Sequence, residues 1–408
     1  MSTITTASAI KSSIDEVAIF GGSPLFAEAL HVGRPNIGNR QTFATLVDEI
    51  LDRRWLTNAG ECVREFERRL ADFLGVKHCI AMCNATVGLD ITMRALELQG
   101  EVIVPSFTFI ATAHALKWQQ LDPVFCDIDA ATHNIDPRRV EELITPRTTG
   151  ILGVHVWGRA CDIEALAEIA QRHKLRVLFD AAHAFACSYK GQMIGGFGDV
   201  EVFSFHATKF FNTFEGGAVT TNNDELAKKI RLMKNFGFSG WDQVSYLGTN
   251  GKMSEISAAM GLTSLESLAE FIDANRRNYQ QYQASLNAVP HVRLVDFDDN
   301  QKLNYQYVVI EVDEEAPVTR DQLMKILHAE NVMARRYFYP GCHRMEPYRT
   351  LYPDAGLTLP VTECLGRRVL VLPTGTAVGA EEISAICELV RFIISNGSEV
   401  NERFSAIK

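Results

Sequence analysis

Residues 176–217 read RVLFDAAHAFACSYKGQMIGGFGDVEVFSFHATKFFNTFEGG, and the fold follows from two places in this stretch. The apolar run Val177–Phe179 ends on Asp180, with His183 three residues later. A second run, Val200–Phe205, leads into a loop that carries Lys209 and then Glu215-Gly216-Gly217. Short apolar runs of this kind suit strands buried on both faces, and open α/β sheets bind ligands where such strands end. Taken singly, Asp180 also suits a helix cap, and a loop lysine also suits a solvated surface charge. Together they read differently. Asp180 and Lys209 lie 29 residues apart, room for one crossover between neighbouring strands.

Outward from this stretch the same alternation continues. Strands are expected near His78–Met82, Glu101–Pro105, Pro123–Asp127, Gly150–Val156, Arg176–Asp180, Val200–Phe205 and Gly217–Thr221. Helices are expected at Thr86–Leu98, Ile110–Trp118, Ile163–His173 and Asn223–Phe236. Strands that alternate with amphipathic stretches predict a mainly parallel seven-stranded sheet between helices. Gln41–Leu51 and Cys62–Leu74 have helical periodicity, and Ser254–Gln283 predicts one long helix or two joined ones. Strands near Tyr305–Val312 and Val369–Leu372, with helices near Arg320–Glu330 and Ala380–Ile394, predict a smaller α+β domain that also recruits the N-terminus. The expected division is an N-terminal segment 1–35, a large domain 36–265 and a small domain 266–408.

A chain of 408 residues with 47% hydrophobic and 22% charged residues can bury a full core. Its net charge of -10, with no Lys/Arg block, argues against nucleic acid as a partner. Nine cysteines without a C-x-x-C pair or histidines at zinc spacing predict reduced, mostly buried thiols and no structural metal. No apolar run reaches the roughly 18 residues of a membrane span, and residues 1–20 lack a signal-peptide core, so a cytoplasmic protein is expected.

Two further strand ends carry polar residues. Cys83-Asn84-Ala85-Thr86 opens a helix, where backbone N–H groups and a hydroxyl suit a phosphate, although Asn84 and Thr86 also suit a simple N-cap. In Ser106-Phe107-Thr108-Phe109, Phe107 is read as core and Phe109 as a ring that stacks on a flat ligand, although either ring also suits the core. A pyridoxal phosphate enzyme needs this combination. A lysine amine forms a Schiff base with the cofactor aldehyde, a carboxylate on the next strand keeps the pyridine nitrogen protonated, and glycines let backbone pass close.

FSFHATKFFNTFEGG, preceded by DAAHAF and PSFTFIATAHA, resembles the fold-type-I nucleotide-sugar aminotransferases of the DegT/StrS type. The resemblance extends through WLTNAG, EFERRLADFLGVKH, VHVWGRACDI, GTNGKMSEISAAMGL and FYPGCH, nearly the whole chain from residue 36. It implies that Lys209 holds pyridoxal 5'-phosphate, that Asp180 partners the ring nitrogen, and that His183 lies over or beside the ring. It further implies that Phe109 stacks, that Asn84, Ala85, Thr86 and Ser204 serve the phosphate, and that Asn250, with Lys252 as second choice, reaches the partner subunit's cofactor in a homodimer. Relatives often carry Ser-Gly-Thr where Asn84-Ala85-Thr86 stands, and Gln where His183 stands. Those that use the cofactor for sugar dehydration carry His in place of the lysine.

The implied donor is glutamate and the implied acceptor a nucleotide-linked keto-sugar, a dTDP-4-keto-6-deoxyhexose aminated at carbon 4, with carbon 3 as the alternative. A dehydratase or synthase of the same fold is a further alternative. Candidate sugar-pocket residues are Trp55, Thr57 and Asn58, together with Arg335, Arg336, Tyr337, Tyr339 and His343. For the arginines a plain surface role competes, and for the tyrosines a packing role.

Overall fold

The computed structural model describes residues 11–406. Its apolar runs form one seven-stranded sheet: β1 (His78–Met82), β2 (Glu101–Pro105), β3 (Asp122–Cys126), β4 (Thr148–Val154), β5 (Arg176–Asp180), β6 (Val200–Ser204) and β7 (Gly217–Thr221). The order across the sheet is β1-β7-β6-β5-β4-β2-β3. All neighbours are parallel except β7, which runs antiparallel to both β1 and β6. Each expected strand lies within two residues of its observed position, because these strands are buried on both faces and read as continuous apolar runs.

Alternate residues of the strands feed two cores. Phe179, Phe203 and Ala218 face one side with α2 (Glu61–Leu74, which follows α1, Arg40–Arg53). Leu178, Val202 and Val219 face the other side with α3 (Ala85–Ala95) and α4 (Ile110–Trp118). The register sets Asp180 beside Val202 and Ser204 beside Gly217, so the ends of β5 and β6 flank the Lys209 loop.

The segment 254–283 resolves into two helices, Glu255–Glu266 and Leu268–Leu286, broken at Ser267, which has φ −96° and ψ 5°. Ser254 caps the first of them through Ser257 N–H. A third core surrounds a three-stranded antiparallel sheet of Val292–Leu294, Val308–Val312 and Val369–Leu372, packed with helices Arg320–Ala329 and Ala380–Ser395. N-terminal residues join it: Leu30–His31 pairs with Val332–Met333, and Ala18 and Leu25 donate their N–H groups to Glu330. Of the expected N-terminal segment 1–35, residues 1–10 lie outside the described residues. All nine cysteines are free thiols, seven of them buried. Among the described residues no helix is long and apolar enough to cross a membrane.

The expected strand from Tyr305 starts only at Val308. Residues 304–307 are drawn away by side-chain bonds to the large sheet: Asn304 donates to the carbonyls of His183 and Phe185, and Gln306 accepts from Phe210 N–H.

Candidate active site

Asp180 ends β5 nearly buried, at 6% exposure. One carboxylate oxygen accepts from Thr112 Oγ1 at 2.8 Å and the other from Ala182 N–H at 3.0 Å. Burial pushes its carboxyl above the usual range; the two hydrogen bonds and the Lys209 charge pull it back down. A cation facing this carboxylate restores its ionised form, as a protonated pyridine nitrogen would.

Lys209 lies in the β6–β7 hairpin, with Nζ 3.2 Å from the Tyr307 hydroxyl. Burial lowers its ammonium to about 8, against the opposing pull of Asp180 and Tyr337. An amine so lowered has a far larger free-base fraction near neutral pH than an ordinary lysine. Cofactor uptake by the cofactor-free protein is therefore expected to speed up as pH rises, and to level off above about 8 as the ammonium is lost. Stopped-flow rates that kept climbing towards the pH of an ordinary lysine, about 10.4, would contradict this.

His183 is also buried, and its imidazole is driven well below its ordinary range by burial and by the Lys209 charge, so it is neutral. Its Nδ1 accepts from Trp157 N–H at 3.3 Å, which leaves the proton on Nε2. The ring lies near-parallel to Trp157 and Phe338 and 4.6 Å from the Tyr307 ring.

At the other end of the cleft, Asn84 is the N-cap of α3, its Oδ1 accepting from Val87 N–H at 2.8 Å. The cap reading holds for this side chain. Among the described residues, the N–H groups of Ala85 and Thr86 in the first turn have no partner, the arrangement that holds an anion. A Cβ on Gly217 would stand 2.8 Å from Ala85 N, so only glycine lets β7 pass beside this turn. Ser204 is half-buried at the end of β6. Phe107 is fully buried, whereas Phe109 is 58% exposed at the start of α4. The groups present fit pyridoxal phosphate: a nucleophilic amine, a buried carboxylate, a free imidazole N–H and an anion cradle bordered by glycine.

The candidate sugar residues separate. Arg335, Arg336, Tyr337 and Tyr339 line a cleft of about 400 Å³ together with Thr108 and Phe109. Arg336 is engaged with Asp321 at 3.1 Å, and Arg335 has no acidic partner among the described residues. Trp55, Thr57 and Asn58 are exposed in a turn fastened to the helix at Glu255, which donates its N–H to Leu56, and they do not line that cleft.

His343 corrects the expectation. It is 2% exposed, with Nδ1 bonded to Ser106 Oγ at 2.7 Å and Nε2 to Glu363 at 2.9 Å, so no ring nitrogen is left for a sugar. Its neighbours in sequence face the cleft while it turns inward and anchors the loop.

Asn250 is exposed, and its side chain makes no hydrogen bond among the described residues. Lys252 is occupied locally by Asn235 Oδ1 at 3.0 Å and the Phe236 ring. Sequence reasoning missed Tyr307 and Thr112. The run Asn304-Tyr305-Gln306-Tyr307 just ahead of an apolar strand was the available signal for the first, and the second had none.

A parallel sheet with one reversed strand, a strand-end carboxylate and a hairpin lysine in electrostatic reach of each other fit the architecture of fold-type-I pyridoxal phosphate enzymes. Residues 38–391 match the model of the DegT/DnrJ/EryC1/StrS aminotransferase family. The chain is 37% identical to the dTDP-4-amino-4,6-dideoxy-D-glucose transaminase of Shigella dysenteriae, over 89% of this chain and 99% of that one. It is 37% identical to the GDP-perosamine synthase of Caulobacter vibrioides, over 88% and 96%. The crystal structure of DesI in the presence of its TDP-sugar product superposes with a TM-score of 0.93 at 49% identity, over 96% of this chain and all of that one. The chain belongs to the DegT/DnrJ/EryC1/StrS aminotransferase family, whose aminotransferases depend on pyridoxal phosphate.

Proposed function

We propose that the protein moves an amino group from glutamate to carbon 4 of a dTDP-linked 4-keto-6-deoxyhexose, with pyridoxal phosphate held by Lys209. The observation that carries the chemistry is the half-buried Lys209 amine within electrostatic reach of the buried Asp180 carboxylate. The sugar is supported by the transaminase of Shigella dysenteriae and by DesI with its TDP-sugar product.

The chemistry supplied by bound pyridoxal phosphate is amino-group carriage on its aldehyde carbon, with the ring as electron sink. Lys209 Nζ, whose ammonium burial lowers to about 8, would hold the cofactor covalently. The same amine, when free, would be the group that accepts and returns the substrate's proton at Nζ. Asp180 would keep the ring nitrogen protonated, and His183 would be the hydrogen-bond donor, from Nε2, to the ring hydroxyl. Ala85 and Thr86 N–H groups and the Ser204 hydroxyl would hold the phosphate, and Phe109 would cover the ring.

Arg335, which has no acidic partner among the described residues, is the cation that meets the diphosphate, with Tyr337 and Tyr339 beside the sugar. Arg335→Ala is expected to raise KM for the nucleotide sugar by roughly 10- to 100-fold, as loss of a charge-assisted bond does. Arg336→Ala should change it far less, since Asp321 already occupies that guanidinium. Equal effects of the two substitutions would remove Arg335 from the role.

The proposed enzyme is a cytoplasmic homodimer with shared sites, in which Asn250 reaches the partner's cofactor phosphate. Its exposure and free amide support this, and Lys252 is tied down instead. Mixing Lys209→Ala subunits with Asn250→Ala subunits places both defects in one site of each hybrid and none in the other. Activity should return, to about a quarter of wild type at most under random exchange. If the subunits exchange, Asn250→Ala is inactive by itself and no activity returns, then Asn250 serves its own subunit. The reaction is tested by incubating nucleotide keto-sugars with glutamate, detecting 2-oxoglutarate and locating the new amine by NMR. No amino-sugar from any 4-keto substrate would overturn the proposal.

A further inference from the structure

Beyond the site, a buried polar chain runs from His183 to the small sheet. The Trp157 backbone N–H donates to His183 Nδ1, and the Trp157 indole N–H donates to His133 Nδ1 at 3.1 Å. With Nδ1 accepting, neutral His133 carries its proton on Nε2, which meets Glu311 Oε1 at 3.2 Å. Glu311 sits in the central strand of the small sheet, held by Arg293 on the neighbouring strand and by Arg368 at 3.4 Å. Burial would raise the Glu311 carboxyl, but the His133 bond and the surrounding cations outweigh it and keep the group ionised. His133 and Trp157 are fully buried and Glu311 is 2% exposed, so each bond excludes water.

Backbone geometry supplies a second, independent observation. His133 and Trp157 both have left-handed backbone, with φ of 62° and 63°, an uncommon conformation for bulky side chains. Such strain persists only where the surroundings over-determine it. Asn134 clasps the two loops, accepting from Val156 N–H and donating to the carbonyls of Arg159 and Ala160. Gly158 admits the close approach, since a Cβ there would stand 3.0 Å from the His183 carbonyl. The left-handed turn at Trp157 aims its N–H at His183 while the indole bond to His133 holds the ring.

We propose that His133 and Glu311 are positioning residues which, through Trp157, lock His183 in its Nε2–H tautomer. The small sheet thereby sets the hydrogen-bond character of a residue in the large domain. The consequence for catalysis rests on the reading that His183 donates to the cofactor ring.

The test is solid-state 15N NMR of histidine-labelled, cofactor-free protein, with His183 assigned by the signals lost in His183→Gln. The wild type should show His183 protonated at Nε2 and bare at Nδ1. His133→Met and Trp157→Phe delete the same indole bond from either side. Each should raise the Nδ1–H share of His183 about tenfold, the weight of one ordinary hydrogen bond. His133→Gln, whose amide accepts from the indole and donates to Glu311, should restore the wild-type pattern. In the loaded enzyme His133→Met should lower kcat about tenfold, leave KM for the donor nearly unchanged and shift the pH titration of the cofactor's absorption. Unchanged His183 signals in Trp157→Phe would overturn the proposal even if His133→Met fails to fold. A wild-type protein that binds no pyridoxal phosphate would instead sink the functional reading, while the tautomer measurement still decides this one.

Discussion

Lys209→Ala is expected to lose turnover by roughly 10³-fold or more, because covalent attachment and the proton shuttle reside on one amine. The fold should survive. Among the described residues the side chain's one hydrogen bond is to the Tyr307 hydroxyl, and burial already works against its charge. Cofactor should still bind through the anion cradle and Asp180, but be lost on dialysis. Borohydride treatment of the wild-type holoenzyme should leave the cofactor attached to the peptide that contains Lys209, and the variant should show no such adduct. Steady-state transamination by the variant at near wild-type rate would refute the assignment, as would mass spectrometry that places the adduct on another lysine.

Asp180→Asn is expected to lose roughly 10²-fold or more in kcat with little change in thermal stability. The amide is nearly isosteric. Its oxygen can still accept from Ala182 N–H, and its amide can donate to Thr112 Oγ1, so both bonds seen at Asp180 have a replacement. What it cannot supply is the negative charge that keeps a pyridine nitrogen protonated. If Asp180 were only a cap or turn residue, Asn would serve as well, since the two cap equally. Wild-type kcat in this variant would therefore remove Asp180 from the chemistry, and unfolding would point to the carboxylate as a structural group.

The sheet was legible because β5 and β6 are buried on both faces, which forces contiguous apolar residues into the sequence. Their ends were legible for the same reason, since the first polar residue after such a run marks the edge where ligands bind. Asp180 and Lys209 stood out on that ground. The start of α3 was legible only in part. An Asn ahead of a helix signals a cap, which the bond to Val87 N–H shows, but the partnerless N–H groups of Ala85 and Thr86 leave no mark in side-chain chemistry.

The His133–Trp157 pair was not legible, and Tyr307 was so only as one of two tyrosines just ahead of a strand. Tyr307 meets Lys209 across 98 residues of sequence, and aromatics inside apolar segments look like core wherever they point. His343 misled for the converse reason. It follows Arg335, Arg336, Tyr337 and Tyr339, yet those four line the cleft, while its ring turns inward to Ser106 and Glu363.

By itself the sequence determined which segments are strands and helices and where the strands end, because burial on one or both faces imposes a local period on the chain. Tertiary structure alone decided which of many polar side chains share the cleft, which are spent on capping, anchoring or surface ion pairs, and which histidine nitrogen carries the proton. Those outcomes depend on distances between groups far apart in the chain. Only packing of the two sheets against each other sets them.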